Sequence, residues 1–405
     1  MIKYKSIIAL FMLLLPILGL TGTITELQKL QNMGQMIDNN FGRSVSIDEN
    51  RAAIGASSEN MFEGAVYLFN ETSNGWVQTH RLVASDAQPS FFGRDISLQG
   101  DRLLVGSVFA DSPTVTDSGA VYVFEYDGTD WIETAKLLPN DPITNGFFGT
   151  SVSLDGDRIV VGANLSSNLA GGSVYVFEFN GNSWTQTQNL SPSISVTNDF
   201  FGKNISLKGN QLLVSEEFDS NNNISTGAVY MFNYNGNTWQ ETQKIIAPDS
   251  NDQQRFGFSL DLGQDYFVVG AIGDNTQGFN TGAAYVYTLG SNNTWLLDQK
   301  LLKTNAAPSD LFGFDVGIND NSVVVSAIPS VINSGTAYLY KQFGISWREI
   351  FTLSATDQSN NDEFGLRLSI SKNRILIGAA SSGNAGAAYV FNNDLIFING
   401  FEALN

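Results

Sequence analysis

Any chemistry in this chain has to come mainly from carboxylates. Asp and Glu number 40 in 405 residues, against 21 Lys and Arg, one His and no Cys. The lack of cysteine rules out thiol nucleophiles, thiolate metal sites and disulfides. A Ser-His-Asp arrangement would depend on His80 alone. The densest acidic group is Glu216-Glu217-Phe218-Asp219. Paired carboxylates can cleave a glycosidic bond and clustered ones can hold a cation, but the simpler expectation is a solvated acidic loop. Asp86, Asp141, Asp199, Asp249, Asp252, Asp310, Asp357, Asp362 and Glu363 lie in connecting segments, where bonds from side chain to turn backbone account for them. No glycine precedes Lys-Ser or Lys-Thr, so no phosphate-cradling loop is expected. The formal charge of -19 would repel nucleic acid and disfavours an anionic membrane surface.

The elements that carry these acids repeat. A Phe-Gly pair starts at Phe41, Phe92, Phe148, Phe201, Phe256, Phe312 and Phe364. Thirteen residues after each of these glycines stands a small residue: Gly55, Gly106, Gly162, Ser215, Gly270, Ser326 and Gly378. A stretch like Gly-Ala-Val-Tyr follows, from Gly64 in the first unit to Gly386 in the seventh. Trp76, Trp131, Trp184, Trp239, Trp295 and Trp347 end the first six units. Each unit reads as four strands. In the third, Thr150–Leu154 alternates, Asp155-Gly156-Asp157 turns, Arg158–Ala163 is a buried apolar run, Ser173–Phe179 is rich in Val, Tyr and Phe, and Trp184–Leu190 completes the set. Such units predict an all-β fold, a seven-bladed β-propeller of four-stranded antiparallel blades. The seventh unit lacks a Trp strand, while Ile24–Leu30 resembles Trp239–Ile245, so residues 23–30 are expected to close the ring as the outer strand of the last blade. His80 falls where other units have Gln28, Ala135, Gln188, Gln243, Gln299 and Phe351, a variety that suits packing rather than catalysis.

The run Phe148-Gly149 to Val161-Gly162-Ala163, then Gly172 to Trp184, resembles the FG-GAP repeats of bacterial secreted proteins and, more distantly, the propeller of integrin alpha subunits. The resemblance covers residues 41–392 and implies an extracellular binding or adhesion role. Many such repeats carry an Asp-x-Asp-x-Asp-Gly calcium loop between the first two strands. Here those connections, such as Asp48-Glu49-Asn50 and Lys208-Gly209-Asn210, are too short to wrap a cation that takes six to eight oxygens. No metal ligand is therefore carried over, no cofactor is expected, and calcium is left at most a weak association with the acidic surface.

Residues 1–22 have Lys3 and Lys5 before an apolar stretch and small residues after it, the pattern of an export signal. The division is thus a signal peptide at 1–22, a propeller at 23–394 and a tail at 395–405, in a secreted, periplasmic or cell-surface protein, expected as a monomer with no membrane span in the mature chain. Loop length varies mostly between the second and third strands, at 9, 13, 10, 12, 12, 9 and 8 steps along the seven units. Variable loops on a rigid scaffold are where binding residues tend to lie. The expected function is a non-enzymatic scaffold that binds an extracellular protein or glycan on the face carrying Phe109, Asp111, Glu217, Phe218, Asp219, Asp274 and Phe279. The competing expectation is a polysaccharide hydrolase or lyase using loop carboxylates, whose site would break the repeat symmetry. The fourth unit, with Ser215-Glu216 in place of Gly-Ala, comes nearest to that.

Overall fold

The computed structural model describes residues 22–393 apart from 33, 35–38, 87, 166–170, 194–198, 220–224, 251–252, 320 and 331–334. The expected leader at 1–22, except Gly22, together with the tail at 395–405 and Asp252, lies outside the described residues. Seven sheets follow one another along the chain, each an antiparallel meander of the expected order. Blade four, for example, consists of Phe201–Lys208, Gln211–Glu216, Ala228–Tyr234 and Trp239–Ile245. The second strands, such as Arg158–Ala163 and Arg374–Ala379, are buried after their first residue because a neighbouring blade covers each side. Their continuous apolar runs are thus a product of position, not of strand propensity alone. Among the described residues no helix is long and apolar enough to cross a membrane.

The Phe of each Phe-Gly pair is at most 1 % exposed. It meets the Tyr of its own third strand edge-on, with centroids 5.4–5.6 Å apart in all seven blades, from Phe41–Tyr67 to Phe364–Tyr389. Each such pair adds about 1 kcal/mol to the larger gain from burying the rings. The glycine opening the third strand packs on the Phe of the following blade, and Gly386 shows why no larger residue serves. Its φ is +83° and an added Cβ would run into the Phe41 carbonyl oxygen. That contact already joins the last blade to the first.

The N-terminal segment completes the closure, with a change in detail from the sequence expectation. Gln28–Leu30 pairs antiparallel with Val390–Ala388 as the outer strand of blade seven. Gly22–Thr25 instead runs parallel to Phe351–Ser354 and adds a fifth strand to blade six. Ile24 therefore sits beside Leu353, not in the position of a blade-seven Trp. Its half-buried side chain packs against the core cluster that includes Phe351, Leu353 and Phe391, so apolar cover between blades six and seven accounts for its place. Gln28 also ties the seam to blade one: its Nε2 donates to the Trp76 carbonyl at 2.8 Å and its Oε1 accepts from the Trp76 N–H at 2.7 Å. Gln188–Trp239, Gln243–Trp295 and Gln299–Trp347 repeat this two-way bond between successive blades. His80, at the same position in blade one, has Nε2 3.2 Å from the Thr129 carbonyl of blade two.

Candidate functional site

The loops between second and third strands and the connections between blades share one face. There the residue before each Phe-Gly pair is bent into the left-handed region. Asn40, Phe91, Phe147, Phe200, Arg255, Leu311 and Glu363 have φ between 54° and 58°. In six of the seven its carbonyl accepts from the N–H three residues on, as in Phe91 to Arg94 at 3.0 Å. A bulky residue in this conformation is strained, and the tight turn enforces it. Its side chain stays half-buried on a rim around the centre of the ring.

Aromatic rings run along this rim. Phe62 stacks on Phe91 at 4.8 Å, Phe91 meets Phe109 at 5.5 Å, and Phe109 meets Phe147 at 5.1 Å, across blades one to three. Phe62 is 48 % exposed, its neighbour Met61 is 80 % exposed, and both have positive φ. A second arc joins Phe200 to Phe218 at 5.5 Å, and the Arg255 guanidinium lies 5.3 Å from Phe218 and 4.7 Å from Phe258. Two residues beyond their Phe, Arg43 and Arg94 stand half-buried with no carboxylate in ion-pair reach among the described residues. Burial, then the charges of Arg94 and Arg367, pulls Arg43 down to about 9.

The sequence-nominated residues divide into two groups. Phe109 and Phe218 belong to the aromatic arcs, and Phe279 is 67 % exposed on the blade-five loop. Asp111 is half-buried, and its carboxylate accepts the Asp117 N–H at 2.8 Å within the blade-two loop. The other three acids are enclosed. Glu217 is 0 % exposed and held between Lys203 and Arg255, whose Nε lies 2.6 Å away. Asp219 is paired with Lys244, and Asp274 with Lys300 at 2.8 Å. The solvated acidic loop expected at residues 216–219 is thus not what forms, because three cations from separate segments and the Tyr230 hydroxyl draw its acids inward.

These enclosed acids follow a blade-wide plan. In blade five the Tyr285 hydroxyl shares its one proton between Asp249 at 2.8 Å and Asp274 at 2.9 Å, and Lys300 bonds both carboxylates. Tyr122–Asp86–Lys136 and Tyr389–Asp357–Lys29 repeat the exposed Asp249 half of this set in blades two and seven, and Tyr67–Glu59–Arg81 repeats the buried Asp274 half in blade one. Burial alone would raise the pKa of Asp274, but Lys300 and the Thr276 N–H outweigh it and hold the carboxyl below its usual range. Blade four departs from the plan. The sequence position matching Asp86, Asp249 and Asp357 is Ile194, and Tyr230 donates instead to Glu216 at 2.6 Å. Glu216 is 0 % exposed, and burial, with the nearby Asp219 and Asp199 carboxylates, pushes it up to about 8.

A profile described as FG-GAP repeat matches seven successive segments: 25–69, 76–124, 131–177, 184–232, 239–287, 295–340 and 347–391. The chain belongs to the FG-GAP repeat family. Each FG-GAP segment runs from the outer strand of one blade through the third strand of the next, so the family's unit is itself a link between blades. The first segment begins at residue 25, at the end of the Gly22–Thr25 strand, and takes in the closing strand Gln28–Leu30. Among solved structures, a chain in one titled "Crystal Structure of Mitotic Checkpoint Complex" superposes with a TM-score of 0.57 at 9 % identity, over 97 % of this chain and 96 % of that one. At that identity the likeness is one of fold alone. No curated protein matches the chain.

Sequence reasoning missed two parts of this FG-GAP rim. The residue before Phe-Gly went unread because the repeat was aligned on what is constant, yet its changing identity from Asn40 to Glu363 is the signal that marks a variable surface. The ring of the third-strand Tyr belongs to the core, but its hydroxyl and the Lys of the outer strand also bind the connection acid. A cleft of about 280 Å³ lined by Gln28, Leu30, Phe69 and Trp76 opens at the closure seam, away from these groups. It holds no convergent charged cluster, so the rim remains the better candidate.

Proposed function

We propose that this exported FG-GAP propeller is a non-enzymatic scaffold that binds an extracellular glycan or protein at the loop-face rim. The observation that carries the proposal is the row Met61–Phe62–Phe91–Phe109–Phe147, partly exposed and, in all but Phe109, presented by backbone in the strained left-handed region. Strain of this kind persists where the surrounding fold enforces it and gathers at ligand sites. Aromatic faces stack on sugar rings or on apolar side chains, and Arg43 and Arg94 beside them favour a ligand bearing carboxylates or sulfates. The non-enzymatic part draws support from Glu217, whose carboxylate is closed off between two cations and so poorly placed to attack or protonate a substrate.

A glycan array, with pull-down from cell surfaces, tests the reading on the purified chain. Phe62→Ser with Phe109→Ser is expected to abolish capture, whereas Asn182→Asp on the opposite hairpin face leaves it intact. Loss of capture by the hairpin-face change, with the rim variant binding as before, overturns the choice of face. Turnover of a polysaccharide that disappears in Glu217→Gln overturns the non-enzymatic reading.

A further inference from the structure

Inside blade four three carboxylates meet one ammonium. Asp199, Glu216 and Asp219 are 4 %, 0 % and 3 % exposed, and their nearest oxygens lie within 4.8 Å of one another. Lys244 pairs with Asp219, while Glu217 points elsewhere with its own two cations. Among the described residues Glu216 Oε1 has no hydrogen-bond partner, although the residue is fully buried. An unpaired buried carboxylate oxygen is costly. Blade five shows what a satisfied version contains. In place of Asp199 stands Gln254, whose Nε2 donates to Asp274 at 2.8 Å and to Tyr285 at 2.7 Å, so two carboxylates, one ammonium and an amide donor close the set. Blade four has a third carboxylate and lacks that donor.

The geometry points to a binding site for one oxygen-coordinated divalent cation, held by Asp199, Glu216 and Asp219. Three carboxylates and the Lys244 ammonium sum to a formal charge of two negatives, which one divalent ion neutralises. An all-oxygen set with no imidazole or thiolate selects calcium, magnesium or manganese over softer metals. The site lies on the loop face, whereas the family-type calcium loops expected between first and second strands would lie on the hairpin face. It is independent of what binds at the rim.

The full chain, stripped with EDTA, is titrated separately with calcium, magnesium and manganese chloride by calorimetry and thermal melting. One ion per chain is expected for at least one of the three, with a melting temperature that rises with its concentration. Glu216→Ala installs the residue found at Ala56, Ala163, Ala271, Ala327 and Ala379, and Asp199→Gln installs the blade-five solution. Both are expected to fold and to lose the ion and the thermal shift, while Asp249→Asn keeps them. The proposal is overturned if the folded wild type takes up none of the three ions at millimolar concentration, which would leave a proton on Glu216 as the remedy. It is equally overturned if Glu216→Ala and Asp199→Gln bind as the wild type does.

Discussion

Blades four and five are neighbours with the same strand plan and opposite ways of handling buried charge. In blade five Lys300, Gln254, the Tyr285 hydroxyl and the Thr276 N–H all donate into the set formed around Asp249 and Asp274. In blade four the connection acid is absent, Glu216 replaces it from a site that is Ala or Ser in the other blades, and Asp199 stands where Gln254 would donate. One blade closes its own polar network and the other leaves an oxygen open. A repeat scaffold tolerates this because each blade is stabilised by its own contacts and those of its immediate neighbours, so an unfavourable group in one blade does not spread around the ring.

The contrast can be broken most forcefully in blade five. Lys300→Met leaves Asp274 buried without its cation, and unfolding in urea should show a loss of about 3 kcal/mol, as for other half-removed buried pairs. Gln254→Glu gives blade five a third carboxylate at the position that Asp199 holds in blade four. It should cost about 2 kcal/mol at neutral pH in EDTA, because a third carboxylate replaces the amide donor; an unchanged urea midpoint would show that the amide matters little. Titrations of either variant must be separated from that of Asp315 on the first strand of blade six. Burial, with the Asp261 charge adding to it, raises Asp315 to about 7 against the opposition of Arg367. The folded chain therefore keeps a proton that the unfolded chain releases between roughly pH 4 and pH 7, and this group's contribution to stability falls as pH rises through that window. Asp315→Asn still accepts the Leu368 N–H bond, now 2.6 Å, and should remove that part of the decline when urea midpoints are compared at both ends of the window. The smallest effect expected is Tyr285→Phe, about 1 kcal/mol for a hydroxyl whose acceptors keep Lys300. A loss several times larger would mean that the phenol, not the ammonium, organises the blade-five set.

What could be read from sequence followed from what all blades must share. Phe41 and its six equivalents occupy one buried position in seven sheets, so their type and spacing repeat and the architecture is legible. Ring closure was visible for the same reason, since Gln28 matches Gln188, Gln243 and Gln299. Ile24 was not, because its partner Leu353 belongs to an adjacent blade and no repeat position encodes a parallel fifth strand. Residues 216–219 misled for another cause. Four polar-rich positions look solvated when counted alone, and their burial depends on Lys203, Tyr230, Lys244 and Arg255, which the fold brings in from other segments. The rim aromatics Phe91 and Phe147 were hidden by their proximity to the constant Phe-Gly pair.

The seam between Gln28–Leu30 and Ala387–Asn392 also governs the order of events when the chain is made. The first described strands to leave the ribosome have to wait for partners more than three hundred residues downstream. Until then six blades can form locally, while one end of the array keeps an open sheet edge and the early strand stays unpaired. Closing so long a loop is slow and adds only a modest entropic cost once achieved. The finished ring can then open only by first releasing that seam, which makes its persistence a matter of unfolding rate as much as of equilibrium stability.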